Sequence, residues 1–391
     1  MSDQTQPMPQ PRPFRVLTLD GGGMRGLYTS SLLRALARFF DQRFLKQEPD
    51  LGKAFDLICG TSTGAILACG LAAGIPLKTI SNLYIEKGKE IFPSPMPKPN
   101  QKLAMCIWSW RHASRAAANR NSLMAGLECC LHDRTLESVY RERSVALCIP
   151  CVDALHYRAW VFKTPHHPLK HRDNNYRLVD VCMASTAAPI FFPLSQQQNP
   201  DNANALHYFV DGGLWANNPV MIGLVEALTL AERGRPIEII SVGTCDQPAG
   251  DPYAVEKTDW GLLQWKVGVK AIDMSLSAQS FGYASMAQFV AKSLTDSGWP
   301  ISVVRLEEGK KSPEQYSAIG LDRADPIAIR TLVSLAEADA QTIHSDIVGD
   351  RRAEYRILRD VLSDLHILET APDGRELGRT VIAAEKLQGD T

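Results

Sequence analysis

The stretch Leu57-Ile58-Cys59-Gly60-Thr61-Ser62-Thr63-Gly64-Ala65-Ile66-Leu67-Ala68 limits what this chain can fold into more than any other part of it. Leu57 to Cys59 is a short apolar run of the kind that forms a buried strand, and the apolar residues from Ala65 onward keep helical spacing. The chain must therefore reverse within Gly60-Thr61-Ser62-Thr63-Gly64, a G-x-S-x-G arrangement. Glycines on both sides of the serine allow a sharp turn with the side chain projecting outward, and the first amides of the following helix aim at the same place. Ser62 is then either an exposed nucleophile or simply the cap of the helix in a Gly- and Thr-rich turn.

The same order occurs earlier. Arg15-Val16-Leu17-Thr18-Leu19 reads as a buried strand that stops at Asp20-Gly21-Gly22-Gly23-Met24-Arg25-Gly26. A helix follows, with Leu27, Leu32, Leu33, Leu36, Phe39 and Phe40 on one face and Arg34, Arg38 and Arg43 on the other. Strand, glycine loop and helix twice in succession argue for an α/β fold with a mainly parallel sheet covered by helices. Further strands are expected at 145–152 and 157–162, joined as a hairpin through Ala154-Leu155-His156, and at 206–210, 237–242 and 301–306. Helices are expected at 64–73, 77–90, 177–188, 220–231 and 327–347. With 391 residues there is room for one large domain with insertions, or for a core and a smaller partner.

Composition excludes several classes. A hydrophobic fraction of 45% with 22% charged residues belongs to an ordinary globular protein, and no apolar run is long enough to cross a bilayer. Met1 to Pro13 is polar and Pro/Gln-rich, a flexible tail without the apolar segment of a signal peptide. The nine cysteines show no zinc spacing. Cys148 and Cys151 make one lone C-x-x-C around Pro150, so the thiols read as reduced and buried in a cytoplasmic protein, with no metal expected. A net charge of -1 gives no global attraction to DNA, RNA or an anionic membrane, so any such attraction must be local.

One segment supplies it. Pro93, Pro95, Pro97 and Pro99 interrupt regular structure and lead into a stretch to Leu127; from Ile91 to Leu127 there is no acid, while Lys98, Lys102, Arg111, Arg115 and Arg120 are present. Leu103, Ile107 and Trp110 follow helical spacing and Trp108 adds a second large aromatic. The segment 93–127 is an inserted lid whose apolar stripe packs on the core, or a surface for phosphate-bearing partners with tryptophans at a membrane boundary.

The glycine loop also satisfies G-x-G-x-x-G, with Asp41 about twenty residues on, which keeps a dinucleotide-binding oxidoreductase in view. Asp41 lies in a helical stretch, however, where that fingerprint needs the end of a second strand, and Asp20 would set negative charge beside a pyrophosphate. The alternative use of the loop is an oxyanion hole. Ser62 needs a base, and no histidine falls in a catalytic setting: His166, His167 and His171 sit in a polar loop, His344 and His366 in C-terminal stretches. Asp211, ending an apolar run and followed by Gly212 and Gly213, is the better candidate, against the plainer reading of a turn acid.

Together the loop Asp20 to Gly26, the turn Gly60 to Gly64 and Asp211-Gly212-Gly213 resemble, in order and spacing, the patatin-like phospholipases. Ala184-Ser185-Thr186-Ala187-Ala188-Pro189 and Asn217-Asn218-Pro219 look like two further motifs of that family, and the resemblance spans Phe14 to Thr244. It implies a three-layer α/β/α core at 14–244 and a calcium-independent acyl hydrolase of phospholipase A or lysophospholipase type, without cofactor. Ser62 and Asp211 would form the catalytic dyad; Gly21, Gly22, Gly23, Met24, Arg25 and Gly26 would form the oxyanion loop, with the amides of Gly22, Gly23 and Met24 as donors. Residues 245–391 would be a mostly helical extension packed on that core. The size, basic insert and extension also resemble bacterial patatin-like effectors switched on by cyclic nucleotides in antiphage defence. On that resemblance the partners are phospholipid at a membrane surface and a cyclic di- or trinucleotide, with a homodimer left open; a catalytically silent binding protein on the same fold is the remaining alternative.

Overall fold

Side-chain alternation decides how the central strands are covered. The computed structural model describes residues 12–97, 101–167, 169, 171–246, 260, 261, 265 and 269–368. Strand β1 (Phe14–Leu19) turns Leu17 and Leu19 into one apolar cluster and Val16 into another. In β2 (Leu57–Gly60), Ile58 faces the first cluster while Leu57 and Cys59 face the second; in β3 (Ala146–Asp153), Leu147 and Ile149 oppose Ala146 and Cys148. Strands apolar on both faces need cover on both, and three layers result.

The remaining strands are β4 (Arg158–Lys163), β5 (Ser195–Asn199), β6 (Asn202–Asp211), β7 (Ile237–Val242) and β8 (Ile301–Arg305). The sheet runs β5-β6-β3-β2-β1-β7-β8, with β4 antiparallel against β3. Pairings from β3 through β2, β1 and β7 to β8 are parallel, and β6 is antiparallel to both β3 and β5. Helices are α1 (Gly26–Phe40), α2 (Thr63–Ala72), α3 (Leu77–Ile91), α4 (Lys102–Arg111), α5 (Arg120–Leu131), α6 (Leu136–Arg143), α7 (Leu178–Ser185), α8 (Gly213–Ala216), α9 (Val220–Leu230), α10 (Val269–Asp296), α11 (Pro313–Ala318), α12 (Pro326–Val348) and α13 (Arg356–Ser363). Every residue of α2 is buried, as expected of a helix that is apolar all round and enclosed between the sheet and α3, α5 and α7. α9 and α10 cover the opposite face. No helix among the described residues is long and apolar enough to cross a membrane.

Two differences from the sequence-based expectation concern the sheet. β5 is Ser195-Gln196-Gln197-Gln198-Asn199, whose polar composition gives no strand signal; it holds its place at the sheet edge by backbone pairing with β6. The described residues beyond 244 do more than pack on the core, because β8 joins the sheet beside β7, and α12 lies along α1, where the Tyr28 hydroxyl donates to Asp339 at 2.7 Å.

Register brings the ends of β2 and β6 together. Cys59 pairs with Cys148 and Asp211 pairs with Cys151. Since Ser62 lies three residues beyond Cys59, and Cys151 three beyond Cys148, Ser62 and Asp211 are level with each other at the same end of the sheet. The loop after β1 opens at that end too, because β1 is parallel to β2.

Candidate active site

Ser62 has φ 53° and ψ -119°, a conformation that costs a residue with a Cβ on the order of 1–3 kcal/mol and needs enforcement by its surroundings. Hydrogen bonds supply it. The Ser62 amide donates to the Ser185 hydroxyl at 3.0 Å, which donates to the Pro150 carbonyl at 2.7 Å, and the Thr61 hydroxyl donates to the Ala216 carbonyl at 2.5 Å. Close packing fixes the far side of the turn, since a Cβ on Gly64 would lie 2.2 Å from the Leu19 carbonyl oxygen. Ser62 occupies the N-cap position of α2, yet its side chain makes no capping hydrogen bond. The hydroxyl points away from the helix it precedes.

It points toward Asp211. That carboxyl is 5% exposed, and burial pushes its pKa up to about 6, although the Gly213 amide, donating to Oδ1 at 2.7 Å, and the Ser62 hydroxyl both act to lower it. The Asp211 amide donates to the Ala187 carbonyl at 3.0 Å, so the segment after α7 holds the end of β6.

The glycine loop lies against Ser62, since a Cβ on Gly21 would stand 3.3 Å from the Ser62 Cβ. Its amides are unequally engaged: Gly21 donates to Asn217 O at 3.0 Å, Met24 to Leu321 O at 2.7 Å, Arg25 to Gly22 O at 3.1 Å, and Gly26 to the carbonyls of Gly23 and Met24. Those of Gly22 and Gly23 have no acceptor among the described residues. The expectation that Met24 also offers its amide is corrected, because the Leu321 carbonyl already holds it. Gly23, at φ 55°, has Leu321 O only 2.2 Å from where a Cβ would stand. Arg25 turns away from the loop's mouth and pairs with Asp246 at 2.6 Å, bracing the loop. Asp20 is fully buried; burial pushes its pKa up to about 6 even though Arg305, 2.6 Å away, acts to lower it. Thr244 completes the frame by donating to Gly21 O at 3.1 Å. Sequence reasoning placed Thr61 in the turn and Ser185 in a family-like motif without giving either this role, and it missed Thr244, Arg305 and Leu321 as holders of this geometry.

The basic segment differs from its expectation. Lys98 lies outside the described residues, as does the side chain of Lys102. Trp108, expected at a boundary, is buried: its Nε1 donates to Ser94 O at 3.0 Å and its ring packs on His112. Conversely Leu103, Ile107 and Trp110, whose spacing pointed to the core, are 76%, 45% and 81% exposed. Among the described residues no histidine hydrogen-bonds to Ser62 or Asp211. His166, together with Lys163, binds Glu226, and Cys148 adjoins them. These three donor types could ligate a metal, but the Lys163 ammonium already neutralises Glu226, and the cluster reads as a buried ion-pair network.

A mainly parallel sheet with a strained, half-buried serine and two unengaged amides at one end has the parts that nucleophilic ester hydrolysis needs. The sequence model described as patatin-like phospholipase matches residues 17–224, and the chain belongs to that family. It is therefore a hydrolase. The chain is 32% identical over 281 residues to an Escherichia coli protein named cGAMP-activated phospholipase, covering 70% of this chain and 74% of that one. It is 31% identical over 336 residues to a Pseudomonas aeruginosa protein of the same name, covering 85% and 90%. Patatin-like protein 3 of Arabidopsis thaliana is 28% identical over 276 residues, covering 64% and 63%.

Proposed function

We propose that this protein hydrolyses acyl esters of membrane phospholipids or lysophospholipids through a Ser62-Asp211 dyad, without calcium. The observation that carries the reading is the buried Asp211 carboxyl, raised to about 6 and in contact with the Ser62 hydroxyl: a base that is ionised near neutral pH yet more basic than an ordinary carboxylate. Asp211 takes the Ser62 proton as Oγ bonds to the acyl carbon, and the carbonyl electron pair moves to oxygen beneath the amides of Gly22 and Gly23. Collapse of that intermediate breaks the ester bond, and the proton held on Asp211 goes to the departing alkoxide. Water, deprotonated by Asp211, attacks the acyl-enzyme; a second collapse frees the fatty acid and returns the proton to Ser62.

In this reading residues 14–244 form the hydrolase core, and 93–127 is an insert that meets the membrane. The exposed face Leu103, Ile107 and Trp110, with Arg111 at the end of the same helix, has the apolar and basic character of an interfacial helix. Activation by a cyclic nucleotide is the regulatory part of the proposal, drawn from the names of the two bacterial relatives; a role in antiphage defence rests on the resemblance to the bacterial patatin-like effectors alone. The test is to incubate mixed phospholipid vesicles with wild type and Ser62→Ala, with and without cyclic di- and trinucleotides, and to identify released species by mass spectrometry. Fatty acid and lysophospholipid that appear with wild type and vanish with Ser62→Ala support the reading; equal release by both contradicts it.

A further inference from the structure

A cavity of about 1080 Å³ opens between the end of α4, the start of α5 and the segment at Ile190 to Pro193. Its lining includes Arg111, Arg115 and Arg120 and no carboxylate. Many arginines elsewhere are matched to acids, as in Arg25 with Asp246, Arg34 with Glu48, Arg143 with Asp50 and Arg305 with Asp20. None of the three cavity arginines has a carboxylate partner among the described residues. Three guanidinium groups lining one hollow without a counter-charge make it favourable to an anion, although Arg115 Nε already donates to Arg111 O at 3.3 Å. A polar group is also left over: His112 Nδ1 is buried without a hydrogen-bond partner, while its Nε2 meets Ser94 Oγ at 3.1 Å. The hollow, open to solvent, is roomy enough for a molecule of nucleotide size.

The cavity is tied to the glycine loop. Trp108, packed on His112, donates to Ser94 O; two residues further on, the Met96 amide donates to Asp322 at 2.5 Å. Leu321, the neighbour of Asp322, holds the Met24 amide and lies against Gly23. Anything that moves the wall at Ser94 pulls, through Asp322 and Leu321, on the loop carrying the Gly22 and Gly23 amides.

We propose that this cavity is the effector site, taking the two phosphodiester groups of a cyclic dinucleotide through Arg111, Arg115 and Arg120, and that Asp322 and Leu321 transmit its occupancy to the glycine loop. This rests on the activation reading above. The same arginines could be matched by the phosphodiester of a lipid headgroup, and the experiment separates the two.

Binding is measured by calorimetry with cGAMP, and separately with glycerophosphoglycerol as a soluble headgroup. The proteins are wild type, the triple variant Arg111→Ala, Arg115→Ala, Arg120→Ala, and a control with Arg141, Arg351 and Arg359 replaced by alanine, none of which lines the cavity. Each lost charge-assisted contact should weaken binding about tenfold or more. The expected result is cGAMP binding by wild type and control, weakened at least about 100-fold in the triple variant. Wild type activated by cGAMP with the triple variant binding equally well overturns the site and leaves the activation reading standing. No binding and no activation by any cyclic di- or trinucleotide overturns both. Binding of glycerophosphoglycerol alone, lost in the triple variant, makes this a headgroup site and overturns the proposal. Asp322→Ala should bind cGAMP as wild type does without being activated, and Asp322→Asn, which keeps an acceptor for the Met96 amide, should respond; activation of Asp322→Ala to the wild-type level overturns the transmission route.

Discussion

Asp211→Asn exchanges a buried carboxylate for a neutral amide of nearly the same shape, and its effects on stability and activity run in opposite directions. The carboxyl titrates at about 6 in the fold against an ordinary 3.8, with burial the largest cause. The folded protein therefore binds more protons than the unfolded chain between those values, and stability falls as pH rises from about 4 through about 6. Above that window, holding Asp211 ionised costs the fold about 3 kcal/mol, at about 1.4 kcal/mol per pH unit over the interval from 3.8 to about 6. An asparagine carries no such cost, and its carbonyl can still accept from the Gly213 amide at the position of Oδ1. Thermal melting of wild type and variant at about pH 8 and about pH 4 isolates the effect, because the similar cost at Asp20 is present in both proteins and cancels. The variant should melt roughly 4 °C higher at the upper pH and at the same temperature at the lower. Its esterase activity should be lost at both. A variant that is no more stable at pH 8, or equally stabilised at both pH values, would refute the argument that burial strains this carboxylate.

Other expectations concern the same end of the sheet. The acid limb of kcat/KM should fall tenfold per pH unit below about 6, where Asp211 becomes protonated; a rate that holds down to pH 5 contradicts its role as base. Gly23→Ala places a Cβ 2.2 Å from Leu321 O at a φ of 55°, and displacing the loop should cut kcat about 100-fold or more with little change in KM. His166→Gln should leave esterase activity intact. His166 titrates at about 9: burial alone would lower its pKa, but hydrogen bonds to Cys148 and Glu226 raise it above its ordinary 6.5. Its contribution to stability is complete below about 6.5 and lost as pH rises through about 9, so the variant should melt lower than wild type at pH 6 and converge with it near pH 10.

The strand-turn-helix around Ser62 was legible because apolar run, glycines and periodicity all lie within a dozen consecutive residues, and α2 and β2 follow that pattern closely. β5 was not, since an edge strand of glutamines is specified by its neighbour's backbone and leaves no apolar signature. Helical spacing in α4 grouped Leu103, Ile107 and Trp110 correctly on one face, but periodicity says nothing of which way that face turns; the bond from Trp108 to Ser94 O turns it outward. The choice of Ser62 and Asp211 rested on motif order and resemblance, and the register of β2, β3 and β6 supplies the physical reason they are level. Most of what holds the glycine loop was invisible, Asn217 in its quoted motif excepted. Arg305 and Leu321 reach it from some 280 to 300 residues away, and single-sequence patterns carry no trace of contacts that depend on how β8 and the segment before α12 fold back.

The most direct test of the account is to treat the folded protein with a fluorophosphonate probe and map the adduct by peptide mass spectrometry. The adduct is expected on Ser62 alone, absent in Ser62→Ala and much slower to form in Asp211→Asn. Labelling of a different serine, or undiminished labelling of Ser62→Ala, would contradict it.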